Sequence, residues 1–284
     1  MKKVLNWIWN EFIYGGHLTA LGAPGIAYMT SVLLGKEINW AFVILLYTGA
    51  QSVYLFDRLK DVRFDARANE RRSAFLQKKI KFYYVAVVFY FIATCLIPLL
   101  NHKVLFEIVF LSVFALSLAY SKLFKPITKK IVGFKSIFVS IVWSLIPVFY
   151  VFYFNLPFTF GLLLIIAFML MREWVNTWFC DIKDIEIDKE HGLKTFAGMF
   201  SGKVFSFILI IINLISVVPI IFGIIYGLIP PISYFLLFSV VYALCYLAIS
   251  KYNRINQELM FSIIPDTEPV LYAVFLIVGR GLGF

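Results

Sequence analysis

Long apolar blocks separated by short polar segments run through almost the whole chain. Most blocks are about 17 to 22 residues long, the length that crosses a hydrocarbon core as a helix. The pattern predicts membrane spans near 18–34, 40–56, 83–100, 104–120, 134–153, 158–179, 204–226, 232–249 and 269–282. The ninth is the shortest, and by length alone it either crosses or lies at the interface. A water-soluble α-bundle would carry a polar stripe at helical period in each helix; most of these blocks carry none. Ahead of the first span, residues 1–13 place Val4, Leu5, Ile8, Trp9 and Phe12 on one helical face. That is the pattern of a helix lying in the membrane interface. Lys2 and Lys3 open the chain as a signal peptide would, but Asn10 and Glu11 interrupt any apolar core and no small-residue cleavage site follows.

Composition agrees with the periodicity: 62% hydrophobic, 19% aromatic and 15% charged over 284 residues, where a soluble domain has about a quarter charged. The expected fold class is an all-α integral membrane protein of nine transmembrane helices. The net charge of +10 is a topological signal and not a nucleic-acid footprint. With alternating spans, 23 of the 26 Lys and Arg fall on one side, leaving Lys36, Lys103 and Arg280 for the other. The positive-inside rule then puts the N-terminus and the even-to-odd loops in the cytoplasm and the C-terminus outside, in the plasma membrane of a prokaryote. Cys95, Cys180 and Cys245 sit in separate apolar blocks, and His17, His102 and His191 are equally scattered. Neither set has metal-ligand spacing.

The loops on the far side are too short to house chemistry, whereas two cytoplasmic segments hold most of the acids. Asp57, Asp61 and Asp65 are spaced by four after the second span, and Asp181, Asp184 and Asp188 are spaced three and four apart after the sixth. On a helix a step of four advances about 40°, so each trio forms one stripe. Clustered carboxylates repel unless cations sit between them, and an all-oxygen set favours a hard ion, Mg²⁺ being the usual one that also holds phosphate. Each segment alone is equally readable as a solvated helix end. Four spans separate the two, however, so the chain reads as one domain, 1–284, of two pseudo-repeats (about 18–120 and 134–249) plus a ninth helix. Two such repeats facing each other would bring the stripes together. Below them the spans are rich in aromatics, including Tyr54, Phe56, Trp143, Trp174 and Trp178. Their faces stabilise a carbocation by cation–π attraction, or simply pack.

At these motifs the sequence resembles the UbiA superfamily of intramembrane prenyltransferases, of the 4-hydroxybenzoate polyprenyltransferase-like kind. That family carries Asn-xxx-Asp-xxx-Asp after its second helix and Asp-xxx-Asp, often within Lys-Asp-xx-Asp-xxx-Asp, after its sixth. Leu118, Ala119, Tyr120 and Ser121 with Lys125 resemble the family's Tyr-Ser stretch and its basic follower, and Gly192 to Thr195 fit the segment after the second motif. The resemblance covers nearly the whole chain. It implies a nine-helix bundle around a central cavity and Mg²⁺-dependent transfer of a prenyl chain from a polyprenyl diphosphate to a lipophilic acceptor, through an allylic carbocation, as in isoprenoid biosynthesis. The catalytic and metal-binding carboxylates would be Asp61, Asp65, Asp184 and Asp188, with Asp57 and Asp181 as further metal ligands. Arg63, Arg67, Lys125, Lys183 and Lys194 would bind the diphosphate, and Tyr120 would sit beside it or the cation.

The chain departs from the family pattern at Asp57, in place of the first Asn, and at Asn176 and Cys180, where many members have Tyr and Lys. Arg172, two turns before Cys180, would reach partway as a substitute, and His17 stands near a family Arg in the first helix. An aromatic quinone-precursor head group is the leading acceptor, with a glycerol-phosphate ether lipid next and porphyrin, chlorin and sugar phosphates behind. Two other classes compete: a degenerate member that only binds prenyl lipid, and an ion-coupled transporter. The transporter predicts ionisable residues in mid-span, where the predicted spans place little besides Glu107.

Overall fold

The structure, a computed structural model, describes residues 2–60, 62, 70–99, 104–123, 125–250, 256 and 259–284, without the side chains of residues 2, 104, 120–123, 125 and 126. Among the described residues it is 84% helical with no strand. In chain order the helices are α1 (Lys2–Tyr14), α2 (His17–Leu33), α3 (Trp40–Lys60), α4 (Glu70–Gln77), α5 (Ile80–Leu99), α6 (Val104–Leu123), α7 (Lys125–Thr128) and α8 (Phe134–Ser144). They continue as α9 (Ile146–Phe154), α10 (Phe160–Cys180), α11 (Ile185–Glu190), α12 (Phe196–Met199), α13 (Gly202–Ile215), α14 (Val217–Ile225), α15 (Leu237–Ile249) and α16 (Ile264–Gly281).

Each predicted span coincides with helix, and the interruptions have local causes. Pro147 and Pro219 cannot donate to the preceding turn, so α8 yields to α9 at Leu145 and α13 to α14 at Ser216. Thr159 caps α10, its hydroxyl accepting from the Leu162 N–H at 3.2 Å. Among the described residues, six segments are long and apolar enough to cross a membrane: Ile80–Leu99, Phe134–Phe154, Phe160–Glu190, Gly202–Ile225, Pro231–Ile249 and Leu259–Gly281. Leu105–Ala119 is a shorter apolar helix. The last span starts ten residues earlier than the hydropathy pattern indicates. A π-helical turn (Leu259–Ile263) precedes α16, and the polar Asp266 and Glu268 are carried inside the span, where the sequence reading expected its acids to stop short. Exposed apolar residues line outward faces: Phe82, Val85, Phe89, Ile92 and Leu96 recur every three or four positions along α5, as do Val204, Phe207, Ile211, Leu214 and Val218 along α13–α14. Water would penalise such faces, and lipid does not.

The bundle closes through contacts of small residues. α16 packs along α2, and at Gly25 a Cβ would stand 2.2 Å from the Pro269 carbonyl oxygen. Only a side chain of hydrogen lets the two backbones approach this closely. One main core runs from Ile26 and Met29 on α2 through Phe42 on α3 and Phe106 on α6 to Phe168 on α10. At its far end Phe42, Phe106, Tyr150 and Tyr153 interlock, with ring centroids 4.9 Å apart for Phe42–Tyr153 and 5.1 Å for Phe106–Tyr153.

Candidate functional site

A cavity of about 410 Å³ lies between α2, α3, α6, α8–α10 and α16. Its depth follows from residue positions along the helices. On α3 the lining runs from Leu46 to Arg58, which at 1.5 Å per residue is about 18 Å. The deep part is apolar, with Leu46, Phe110, Ile146 and Phe149, and Phe110 and Phe149 meet at 5.5 Å directly against the aromatic core.

The shallow part is charged. Asp57, Lys135, Asp181, Lys183, Asp184 and Asp188 all line it. The second acidic segment is not one continuous α-helix as the spacing suggested: α10 tightens at Asp181–Asp184 into a 3₁₀ turn before α11 begins. Three residues per turn bring Asp181 and Asp184 onto the same side, and Asp188 follows at the helical step of four. Asp181 is already engaged by the Ser136 hydroxyl and by Lys135 at 3.9 Å. Lys183 Nζ donates to Ser262 Oγ at 2.7 Å.

Between the two parts lies a polar band that the motifs did not announce. Glu173, Asn176, Thr177 and Cys180 follow one another at helical spacing on the cavity face of α10. Asn176 donates to the Pro265 carbonyl at 2.6 Å, and the Cys180 thiol points to Asn176 Oδ1 at 3.8 Å. Opposite, Asp266 accepts from Thr19 Oγ1 at 2.6 Å. Arg58 donates to that same Thr19 oxygen at 3.1 Å, and to the carbonyls of Ile13 and Tyr14 at 3.3 and 3.2 Å. Arg58 lies past Phe56, where the second predicted span ends. Burial lowers its guanidinium to about 10, the charge of Arg72 acting in the same direction. Tyr54 and Trp143 also line the cavity, the indole N–H donating to the phenol oxygen at 2.8 Å.

The sequence-derived candidates divide accordingly. Asp57, Asp181, Asp184, Asp188 and Lys183 come together at the cavity. Asp61, Asp65, Arg63 and Arg67 lie outside the described residues, as do the side chains of Tyr120 and Lys125. Lys194 is exposed and away from the cavity lining; its backbone instead pairs with Thr128 and Gly133. Arg172 does not substitute for a basic residue at Cys180. It turns away from the cavity and is fully buried against Glu268, Asn213 and the Ser239 carbonyl. His17 bonds Tyr47 at 2.6 Å and faces Glu11 at 3.9 Å, not the cavity. Of the aromatics, Tyr54 and Trp143 line the cavity; Phe56, Trp174 and Trp178 do not. Glu173, Asp266 and Arg58 escaped the sequence reading, although an acid within the sixth apolar block was a visible signal.

Among the described residues, no three His, Cys, Asp or Glu side chains gather closely enough to hold a metal by themselves. The acidic donors at the shallow end, Asp57, Asp181, Asp184 and Asp188, are all carboxylates. This oxygen-rich chemistry fits magnesium, a hard cation that keeps much of its coordination for water and phosphate.

Comparison with known proteins gives the same picture. The family model for the UbiA prenyltransferase family matches residues 8–262. The fold is similar to that of an apo UbiA homologue from Aeropyrum pernix K1 (TM-score 0.68, 14% identity, covering 93% of this chain and 97% of that one). It is also similar to a UbiA homologue from Archaeoglobus fulgidus bound to GPP and Mg²⁺ (TM-score 0.62, 12% identity, 96% and 99% covered). A third similar structure is that of a digeranylgeranylglyceryl phosphate synthase in membranes (TM-score 0.56, 14% identity, 99% and 100% covered). No curated protein matches the sequence. The matched model covers most of the chain, the helical fold agrees over nearly all of it, and Asp57 meets the second acidic segment at one cavity: the chain is an integral membrane protein that belongs to the UbiA family of prenyltransferases.

Proposed function

We propose that this protein transfers a prenyl chain from a polyprenyl diphosphate to a lipophilic acceptor with an aromatic, quinone-precursor-type head group. The observation that carries this reading is the cavity's polarity gradient: carboxylates and lysines at one end, and an apolar channel closed by Phe110 and Phe149 at the other. A prenyl diphosphate has the same gradient, a highly charged head on a hydrocarbon tail.

Asp57, Asp184 and Asp188, joined by Asp61 and Asp65, would hold Mg²⁺, which when bound neutralises diphosphate charge and makes it a better leaving group. The Archaeoglobus homologue holds GPP with Mg²⁺, which favours the same partners here. Lys183, with Arg63, Arg67 and Lys125, would hold the departing diphosphate by charge-assisted hydrogen bonds. Asp181, satisfied by Ser136 and Lys135, positions the start of α8 against the 3₁₀ turn. Tyr54 and Trp143 present ring faces to the upper cavity, where allylic positive charge develops. The apolar walls exclude the water that would quench it.

The whole reading has nine helices crossing the membrane, with α2, α3 and α6 joining the six membrane-length segments, in two four-helix repeats and a ninth helix. The N-terminus and both acidic segments face the cytoplasm of a prokaryotic cell, and the C-terminus faces outside. α1, with Val4, Leu5, Ile8 and Trp9 exposed along it, lies in the interface. A glycerol-phosphate acceptor is the second reading, favoured by the fold shared with the ether-lipid synthase.

The test is a transfer assay on the purified protein with labelled geranylgeranyl diphosphate, with and without Mg²⁺. It would run against aromatic acids and phenols, glycerol-phosphate lipids and sugar phosphates. Magnesium-dependent release of diphosphate with a labelled product is expected. A protein that binds no prenyl diphosphate in the presence of Mg²⁺ would overturn the reading.

A further inference from the structure

The polar band in mid-cavity has a property that the diphosphate site does not explain. Glu173 is 3% exposed, lines the cavity, and its carboxylate makes no hydrogen bond to any described residue. Burying a carboxylate without a partner is costly, and such groups in native structures call for a reason. Its position supplies one. Glu173 lies eight residues before Asp181 on α10, about 12 Å deeper along the axis, on the cavity face it shares with Asn176, Thr177 and Cys180. That is below the acidic end, toward the apolar part of the cavity. Asp266 faces the same space from α16, and the two carboxylates feel each other's charge.

The cations of the cavity, Arg58, Arg72, Lys135 and Lys183, make no hydrogen bond to Glu173: Arg58 bonds two backbone carbonyls and Thr19, Lys183 bonds Ser262 and Lys135 pairs with Asp181, while Arg172 is bound to Glu268 behind the cavity wall. Beside Glu173 an anionic ligand group thus meets like charge, and a hydrogen-bond donor meets an open acceptor.

We propose that Glu173 receives the proton the acceptor loses on prenylation, and that Glu173 and Asp266 together select an acceptor whose buried end carries hydroxyl donors rather than a carboxylate or phosphate. The inference rests on the prenyl-transfer reading and names the acceptor's chemistry within it. In the step itself, the bond from the allylic carbon to the diphosphate oxygen breaks, with its electron pair leaving on the diphosphate. A lone pair or ring π pair of the acceptor closes the new bond to that carbon. The proton from the acceptor's O–H or ring C–H goes to the Glu173 carboxylate. Charge and electrons balance without an oxidant or reductant.

The experiment uses the full-length protein in detergent with Mg²⁺ and the unreactive analogue geranylgeranyl thiodiphosphate. It compares the binding of two matched probes, 4-hydroxybenzyl alcohol and 4-hydroxybenzoate. Wild type should bind the alcohol at least about tenfold more tightly, since a like charge close by in a desolvated site is strongly disfavoured. Glu173→Gln and Asp266→Asn should each narrow that ratio while leaving thiodiphosphate binding within about twofold. With the best acceptor of the transfer panel, Glu173→Gln should slow product formation by about 100-fold or more, the usual contribution of a general base, and Glu173→Asp should restore part of it. Equal binding of the two probes by wild type, binding of neither, or unchanged turnover in Glu173→Gln would overturn the inference. Loss is assigned to the right level by the thiodiphosphate: wild type that fails to bind it refutes prenyl transfer itself, whereas wild type that binds it without the acceptor preference refutes this inference alone.

Discussion

Arg172 and Glu173 follow one another on α10 and leave it about 100° apart, one into a closed network and the other into the cavity. Arg172 donates through Nε to Glu268 Oε1 at 2.7 Å, and also bonds Asn213 and the Ser239 carbonyl. Glu268 in turn accepts from Tyr272 at 3.0 Å and Tyr246 at 3.3 Å, and Asn213 donates to the Val240 carbonyl at 3.1 Å. Opposite charges at 0% exposure neutralise each other, the surrounding polar groups complete their hydrogen bonds, and α10, α13, α15 and α16 are tied together. Glu173 is almost equally buried, but its carboxylate lines the cavity and bonds no described residue. The difference teaches how to read charge inside a membrane protein. A mid-membrane ion pair with its partners complete is architecture, whereas a buried group with capacity to spare, aimed into a cavity, is reserved for a ligand.

The contrast is most exposed to refutation at the shallow end of the cavity. Asp61→Asn and Asp184→Asn should each reduce turnover by at least ~10⁴-fold, roughly 5 kcal/mol of lost transition-state stabilisation, while melting in detergent stays near that of wild type. Wild-type activity in either variant would show that the acids are solvated helix ends after all. The opposite profile is expected behind the wall. Arg172→Met leaves Glu268 buried without its counter-charge and should destabilise the fold by about 3–5 kcal/mol. Arg172→Met with Glu268→Met together should recover most of that, because two apolar side chains replace the pair without leaving a charge. If the double variant is no better than the single, the network is more than mutual neutralisation. A melting curve for each, with prenyl diphosphate binding as a second measurement, decides it.

The seam between α2 and α16 couples the two regions and should show an intermediate effect. Gly25→Ala would press a methyl onto the Pro269 carbonyl, an overpacking that costs about 1–3 kcal/mol. Asp266 lies one turn from Pro269 on α16, so the Thr19–Asp266 hydrogen bond should loosen as the helices part, and discrimination between alcohol and carboxylate probes should weaken with it. Destabilisation without any change in discrimination would separate the seam from the acceptor site.

Much of this molecule was legible in its sequence. The helical, membrane-embedded character follows from block length, and Asp57 and the second acidic segment, singled out by their spacing, do meet at the cavity. What escaped has physical causes. Asp266 and Glu268 look like a polar loop ahead of a short span, because hydropathy averages over a window and cannot see that Arg172, almost a hundred residues earlier, neutralises one of them. Arg172 was read toward Cys180 because both lie on one helix, although eight residues is 2.2 turns, which rotates them some 80° apart. The tightening at Asp181–Asp184 was invisible because the same carboxylate spacing suits an α-helix or a 3₁₀ turn. Glu173 stood in plain view within the sixth block, but only the structure shows that its carboxylate lines the cavity without a hydrogen bond to any described residue.

Tyr54 sharpens the comparison, because it faces the cavity yet has a partner. Its oxygen accepts the Trp143 indole N–H at 2.8 Å, and Trp143 is itself 8% exposed. By position it belongs with Glu173; by hydrogen bonding it belongs with Arg172. Tyr54→Phe keeps the ring face that would steady allylic positive charge and removes only the hydroxyl, leaving the indole N–H buried without an acceptor. The cost should be about 1 kcal/mol of stability, the low end of what a stranded neutral donor costs, with turnover within about threefold of wild type. A collapse of turnover with stability intact would mean that the hydroxyl takes part in the chemistry, and that a completed hydrogen bond is not enough to mark a cavity residue as structural. A fall in stability with turnover preserved would place Tyr54 beside Arg172, and leave open hydrogen-bonding capacity, not mere proximity to the cavity, as the property that distinguishes the working residues.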